Sequence, residues 1–242
     1  MEGKLNGSIA VVTGAGKGIG RAVTSLFLKE GATVFGAART ESDLLSLADE
    51  TAGFNGKLVP VAGDITDRDF VERFFAKVEN DAGRLDILIN NAGFAASGSI
   101  FNMDPEKFLY GLKVNIWSVF LCTQLGIRIM KKNNYGKIIN LGSVRSHWTE
   151  GGSAGAYNAS KYGLKGFTES VAREIHGSGL DISIGMVCPG VTDTPLTNPS
   201  GEPRPNYVKA VTIAKAVLFA VTNPGNVNVF DITLFSTAQK PW

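Results

Sequence analysis

Tyr157 and Lys161 stand four residues apart in the run Y-N-A-S-K, and Ser143 precedes the tyrosine by fourteen positions. Positions i and i+4 of a helix share one face, so a phenol and an ammonium placed there point into the same cavity. A hydroxyl arriving from an earlier segment completes the layout of a proton-transfer site. A free tyrosine has a pKa of about 10, and lowering it by about three units needs about 4 kcal/mol. One cation at about 4 Å supplies roughly that at an effective dielectric near 20. Lys161 is the expected source. Taken alone, a tyrosine serves equally as a core aromatic and a lysine as a surface charge, so the pair gains its meaning from a second site.

That second site is T-G-A-G-K-G-I-G at residues 13–20. An apolar run precedes it and a helical pattern follows. In that context a glycine turn seats a pyrophosphate on a helix N-terminus. Gly14 permits the sharp turn, Gly18 removes the Cβ that would hold a phosphate away, and Gly20 lets the helix pack closely. With Lys17 and Ile19, these residues form the expected phosphate seat. The second apolar run ends Ala37-Ala38-Arg39. A free ribose 2′-hydroxyl is usually held by an acidic residue at that point; here Ala38 takes its place and Arg39 follows. Two cations, Lys17 and Arg39, without a carboxylate suit an added 2′-phosphate, which arginine grips through two hydrogen bonds. NADP is therefore expected ahead of NAD. A dinucleotide seat and an acid–base pair on one chain imply an enzyme that moves a hydride and a proton together.

The elements that must position these groups alternate along the chain. Apolar runs at 8–13, 33–38, 57–61, 86–90, 137–141, 181–187 and 229–235 are rich in Val, Ile and Leu without strict alternation. Strands buried on both faces have this pattern. Helical spacing fills the intervals. It runs over 17–29, over a stretch after Thr40 with Asp43 as a loose capping box, and over 67–82, closed by Gly83. A long helix over 104–131 opens on Asp104 and Pro105, and another over 156–176 ends at Gly177 and Gly179. Seven strands alternating with helices predict one α/β domain over 1–242, a doubly wound parallel sheet with helices on both faces. One stretch breaks the rhythm. Residues 192–206 hold Pro195, Pro199, Pro203 and Pro205 among Ser, Asn, Thr and Gly, which reads as a mobile surface loop. It starts at the carboxyl end of a strand, where open α/β sheets bind ligands, and is expected to be a substrate lid.

Composition excludes several partners. With 242 residues, 24 Lys and Arg against 22 Asp and Glu leave a formal charge of +2, not the basic surplus of a nucleic-acid binder. No stretch is long and apolar enough to span a bilayer, and the run at 9–12 is too short for a signal peptide. Cys122 and Cys188 sit in apolar runs without zinc or redox spacing, which suits buried thiols in a reducing cytoplasm. His147 lies near no cluster of ligand-type residues in sequence, so no metal is expected.

The glycine turn, the Tyr/Lys pair and their spacing resemble the short-chain dehydrogenase/reductase family nearly end to end. The turn is T-G-x-x-x-G-x-G. Asp64-Ile65-Thr66 follows the third strand, and Asn90-Asn91-Ala92-Gly93 ends the fourth. Asn115 occupies the position of the family's helical Asn, and Pro189-Gly190-Val191-Thr192-Asp193-Thr194 is similar to its P-G-x-x-x-T. The resemblance implies a Rossmann fold, with Asp64 and Ile65 at the adenine. It places Asn91, Ala92 and Gly93 beside the ribose, and Pro189, Gly190, Val191, Thr192 and Thr194 at the nicotinamide carboxamide. It implies that Ser143 holds the substrate oxygen, Tyr157 exchanges its proton, Lys161 holds the ribose hydroxyls and Asn115 links Lys161 to a water chain. A homotetramer built on the two long helices, or a dimer, is expected on the same ground.

The implied reaction interconverts a carbonyl and a secondary alcohol on a small substrate. Residues flanking the site are Phe94, Ala95, Val144, Arg145, His147, Trp148, Glu150 and the loop after Gly190; Arg145 either grips a substrate carboxylate or faces solvent. The chain ends Val227-Asn228-Val229-Phe230-Asp231-Ile232, then Thr237-Ala238-Gln239. That ending resembles the family branch acting on hydroxy acids and hydroxy amino acids, more than the V-D-G-G ending of 3-oxoacyl-carrier-protein reductases, which stay as the alternative. Ketones and ketoesters belong to the same substrate range. Two other classes share part of the pattern. A catalytically inactive NADP sensor would not need the intact Ser, Tyr, Lys and Asn. A sugar-nucleotide epimerase usually carries a longer C-terminal substrate domain.

Overall fold

The computed structural model describes residues 3–149, 151–202, 204–224 and 227–240; Glu150 and Pro203 lie outside the described residues. Seven strands make one parallel sheet: β1 (Ile9–Thr13), β2 (Thr33–Ala38), β3 (Lys57–Ala62), β4 (Ile87–Asn90), β5 (Gly136–Leu141), β6 (Ile182–Pro189) and the C-terminal β9 (Asp231–Leu234). Their order is β3-β2-β1-β4-β5-β6-β9. The chain winds outward from β1 to β3, then crosses back to place β4 on β1's other side. The carboxyl ends of β1 and β4 thus diverge into a crevice, the place where such sheets hold ligands.

Helices cover both faces because the strands are apolar on both. On one face, Val23 and Phe27 of α1 (Gly18–Lys29), Leu44 of α2 (Glu41–Thr51) and Ile213 and Val217 of α7 (Ala210–Val221) pack against Val12, Ile89 and Val187. On the other, Phe70, Phe74 and Phe75 of α3 (Arg68–Ala82) meet Leu121, Leu125 and Ile129 of α5 (Ser118–Asn133) and Ile175 of α6 (Gly155–His176) over Val11, Leu88 and Ile138. Burying one such side chain contributes about 1.5–3 kcal/mol.

Three local features bear on the expectations. The long helix over 104–131 forms, but it is not regular throughout. α4 (Pro105–Leu112), capped by Asp104 with Pro105 in the first turn, passes into a π turn at Lys113–Trp117 before α5. The widened turn holds Asn115, consistent with the tendency of π turns to occur at functional positions. Thr40 makes no capping hydrogen bond, and the Asp43 carboxylate pairs with Lys17 at 3.2 Å. Parts of the stretch over 192–206 are hydrogen-bonded. Thr192 and Asp193 form a short strand, β7, parallel to β8 at Val208 and Lys209. Asn198 is buried and donates to Asp193 at 2.9 Å and to the Glu202 carbonyl at 2.7 Å.

Candidate active site

The glycine turn is held from two sides. Gly14 and Gly18 have φ values of 69° and 55°, the left-handed region that favours glycine. A Cβ on Gly20 would overlap the Gly14 carbonyl oxygen, so the first turn of α1 packs directly under the loop. Asn91 clamps the loop from β4, donating from Nδ2 to the carbonyls of Thr13 and Gly14 at 2.8 and 3.2 Å. The Thr13 hydroxyl accepts from the amides of Asn91 and Ala92 at 3.0 and 3.1 Å. Gly18 also has a protein neighbour. A Cβ on Gly18 would sit 3.2 Å from Thr194, so the close approach at that point is to the loop after β6.

A cleft of about 440 Å³ runs from this turn to Tyr157. Gly14, Lys17, Gly18, Ile19, Arg39, Asp64, Ile65, Asn91, Ala92, Gly93, Ser143, Tyr157, Lys161, Pro189, Gly190, Thr192 and Thr194 line it. Three expected residues do not. Gly20 acts through packing, Asn115 lies behind the wall, and the Val191 amide donates to the Gln239 side chain at 2.8 Å. Pro195, Leu196 and Thr197, from the stretch expected as a substrate lid, also line it, and two lining residues carried no signal in the sequence: Asp43 and Tyr110. Asp43 and Tyr110 come from α2 and α4, and no spacing rule connects them to a glycine turn.

The shape and donors fit a dinucleotide. A crevice at the switch point, amides at a helix N-terminus and a cradle that Cβ atoms would fill suit a pyrophosphate. The charge picture at the ribose end is less one-sided than the sequence implies. Arg39 is exposed and donates to the Tyr110 hydroxyl at 2.7 Å. Lys17 faces a carboxylate after all, that of Asp43. The missing acid of β2 is thus partly replaced from α2.

At the other end, Ser143 leaves β5 and caps a short 3₁₀ turn, Val144–Ser146; its hydroxyl accepts from the Arg145 amide at 3.2 Å. Ser143 stands beside the Tyr157 phenol and favours its anion. Lys161, one turn along α6, donates to the Leu141 carbonyl at 2.8 Å, with its ammonium 5.7 Å from the centre of the Tyr157 ring. Burial pushes the phenol up from its ordinary value, against Ser143 and the charge of Arg145. Burial also lowers Lys161, to about 8. Ser143 and Arg145 thus favour the anion, while Lys161 lies one turn along the same helix. Arg145 is half-buried, not a free surface charge. Asn115 holds Phe94 through both its amide and carbonyl, each at 2.9 Å, and donates to the Ser160 hydroxyl at 2.9 Å. Ser160 in turn donates to the Tyr157 carbonyl at 2.8 Å. Asn115 thus reaches the helix that carries Tyr157 and Lys161.

His147 is not isolated. Its Nε2 lies 3.1 Å from the Asp231 carboxylate, and the Cys188 sulfur is close to both. Both cysteines are free and buried, as expected.

The short chain dehydrogenase family model matches residues 8–205. A 3-oxoacyl-(acyl-carrier-protein) reductase FabG of Thermotoga maritima is 34% identical over 230 residues, 91% of this chain and 92% of that protein. The Escherichia coli (strain K12) protein of the same name is 37% identical over 193 residues, covering 80% and 77%. An alcohol dehydrogenase of the archaeon Thermococcus sibiricus, complexed with 5-hydroxy-NADP, superposes with a TM-score of 0.89 at 25% identity, covering 97% of this chain and 99% of that one.

Proposed function

This chain belongs to the short-chain dehydrogenase family of nicotinamide-dependent oxidoreductases, and from that premise we propose that it interconverts a carbonyl and a secondary alcohol on a small substrate with NADP(H). The observation that carries the reading is the contact of Ser143 with Tyr157, one helical turn from a buried Lys161, at the end of a cleft that begins on a glycine turn. A bound nicotinamide supplies or accepts the hydride. The protein's part is the oxygen. Ser143 and Tyr157 converge on one point, so both donate to a substrate oxygen as negative charge grows there. Tyr157 then gives up its phenolic proton, and reclaims it in the oxidative direction. Lys161 stabilises the phenolate left behind and holds the ribose hydroxyls. Asn115, through Ser160, keeps Tyr157's helix at fixed distance from Phe94. The remaining cleft residues, with Gly20 and Val191 behind them, hold the cofactor, and the stretch 192–206 covers the substrate.

NADP is favoured because Arg39 stands exposed at the ribose end. Hydroxy acids, hydroxy amino acids, ketones and ketoesters are the substrate range, with the C-terminal sequence favouring the acids. A 3-oxoacyl-carrier-protein substrate is the second reading, supported by the names of the relatives. We place the protein in the cytoplasm as a homotetramer, with 1–242 acting as one catalytic domain. The deciding experiment measures NADPH oxidation against ketoacids, ketones and a 3-oxoacyl thioester of carrier protein, with Tyr157→Phe alongside. The variant should lose about 10²-fold or more in turnover and still bind cofactor. Near-normal turnover would sink the acid–base assignment.

A further inference from the structure

His147, Cys188 and Asp231 come from three separate segments, and no spacing in the chain connects them. Cys188 lies on β6, next to the Pro189-Gly190 loop. Asp231 opens β9, which pairs with β6 so that Thr233 faces Cys188. Side chains two residues apart on a strand share a face, so Asp231 and Cys188 are diagonal neighbours on one side of the sheet. His147 ends the 3₁₀ turn that Ser143 caps and leans over the end of β5 toward both. One ligand-type atom from each residue lies within 4.8 Å of the other two. The His147 Nε2 is buried and makes no hydrogen bond, although the Asp231 carboxylate is only 3.1 Å away. The distance is short and the direction is wrong for N–H···O bonding.

We propose that His147, Cys188 and Asp231 bind a thiophilic divalent cation of the zinc class, and that its occupation switches off turnover. The ligand set is one imidazole, one thiolate and one carboxylate, with a fourth position left for water. A tetrahedral ion with bonds of about 2.0 to 2.3 Å sets its ligand atoms about 3.3–3.6 Å apart, so the widest separation here closes by roughly an ångström. Asp231 is partly exposed and gives an ion a path in from solvent. Gly142 makes room for the sulfur, since a Cβ there would lie 2.6 Å from it. The thiol gives up its proton to solvent as the metal–sulfur bond forms. Closing the three ligands draws in the turn that carries Ser143 and the strand end that carries Pro189 and Gly190. A misplacement of about 1 Å in such a site costs on the order of 100-fold in rate.

Binding itself does not depend on the proposed reaction; only its effect on turnover does. Cadmium chloride titrated into the full chain should raise a near-ultraviolet thiolate-to-metal band, saturating at one ion per chain by elemental analysis after dialysis. Cys188→Ser, His147→Gln and Asp231→Asn should each lose the band with an unchanged circular dichroism spectrum, and Cys122→Ser should keep it. No band in the native chain, or a band that survives both His147→Gln and Asp231→Asn, overturns the site. Turnover should fall on the order of 100-fold as the band saturates and return with a chelator. A saturated band with unchanged turnover overturns the switch and leaves the reaction assignment standing.

Discussion

The Tyr157 phenol is under two opposed influences. Burial favours its protonated form, while Ser143 and Arg145 favour the anion. Lys161, buried on the same helix, has its ordinary value lowered to about 8 by desolvation. The proposed role needs the ammonium, so reduction should decline as pH rises through about 8. Stability has the opposite sign. The unfolded chain binds this proton up to the ordinary lysine range, so between about 8 and that range it holds more protons than the native state, and native stability rises with pH. Comparing Lys161→Met with the native chain by denaturant unfolding isolates the effect. The stability difference should move in the native chain's favour as pH climbs from about 8, and a difference independent of pH would contradict a buried, depressed lysine. The proposed cofactor preference also rests on single charges. Asp43 neutralises Lys17 and would repel a 2′-phosphate. Asp43→Asn should raise the NADP-to-NAD ratio in kcat/KM several-fold, and Arg39→Asp should lower it. Unchanged ratios in both variants would count against the proposed NADP preference.

Among the elements, the glycine turn and α1 act as one unit. Gly20 is packed so tightly under Gly14 that a methyl group has no place. Overpacking of this kind costs about 1–3 kcal/mol, and the loop must move to relieve it. Gly20→Ala should therefore lower the denaturant midpoint and weaken cofactor binding together, measured by unfolding and by NADPH fluorescence. Loss of neither would mean that the helix can slide, contrary to the Asn91 clamp. The alternation of strands and helices, the Asp104–Pro105 start and the Gly83 stop are all legible in the chain, because they rest on local periodicity and capping. The π turn at Lys113–Trp117 is not, since its residues are ordinary helix formers. A π turn shows in which carbonyl each amide reaches, and hydropathy carries no trace of that choice.

At the scale of the molecule, an aromatic band crosses the outside of α5 and α6. Trp117 stacks on Phe120, whose ring meets Phe167 edge-on, and Trp117 and Phe120 are 40% and 39% exposed. Contiguous exposed apolar surface of this kind marks an association face. It lies on the two helices expected to build the homotetramer. Sedimentation velocity should show the native chain as an oligomer and Phe120→Glu as a smaller species. A native monomer would remove that part of the proposal.

Amino-acid order alone determines the parallel sheet, the glycine turn and the Tyr157–Lys161 pair. Each depends on residues a few positions apart, where backbone geometry dictates what faces what. The Asp43 carboxylate beside Lys17, the Tyr110 hydroxyl on Arg39 and the meeting of His147, Cys188 and Asp231 are decided by tertiary structure. These contacts join residues 26 to 84 positions apart, and only the winding of helices over the sheet brings them within a few ångströms; before folding, a charge at such a sequence distance is screened by water and exerts no influence.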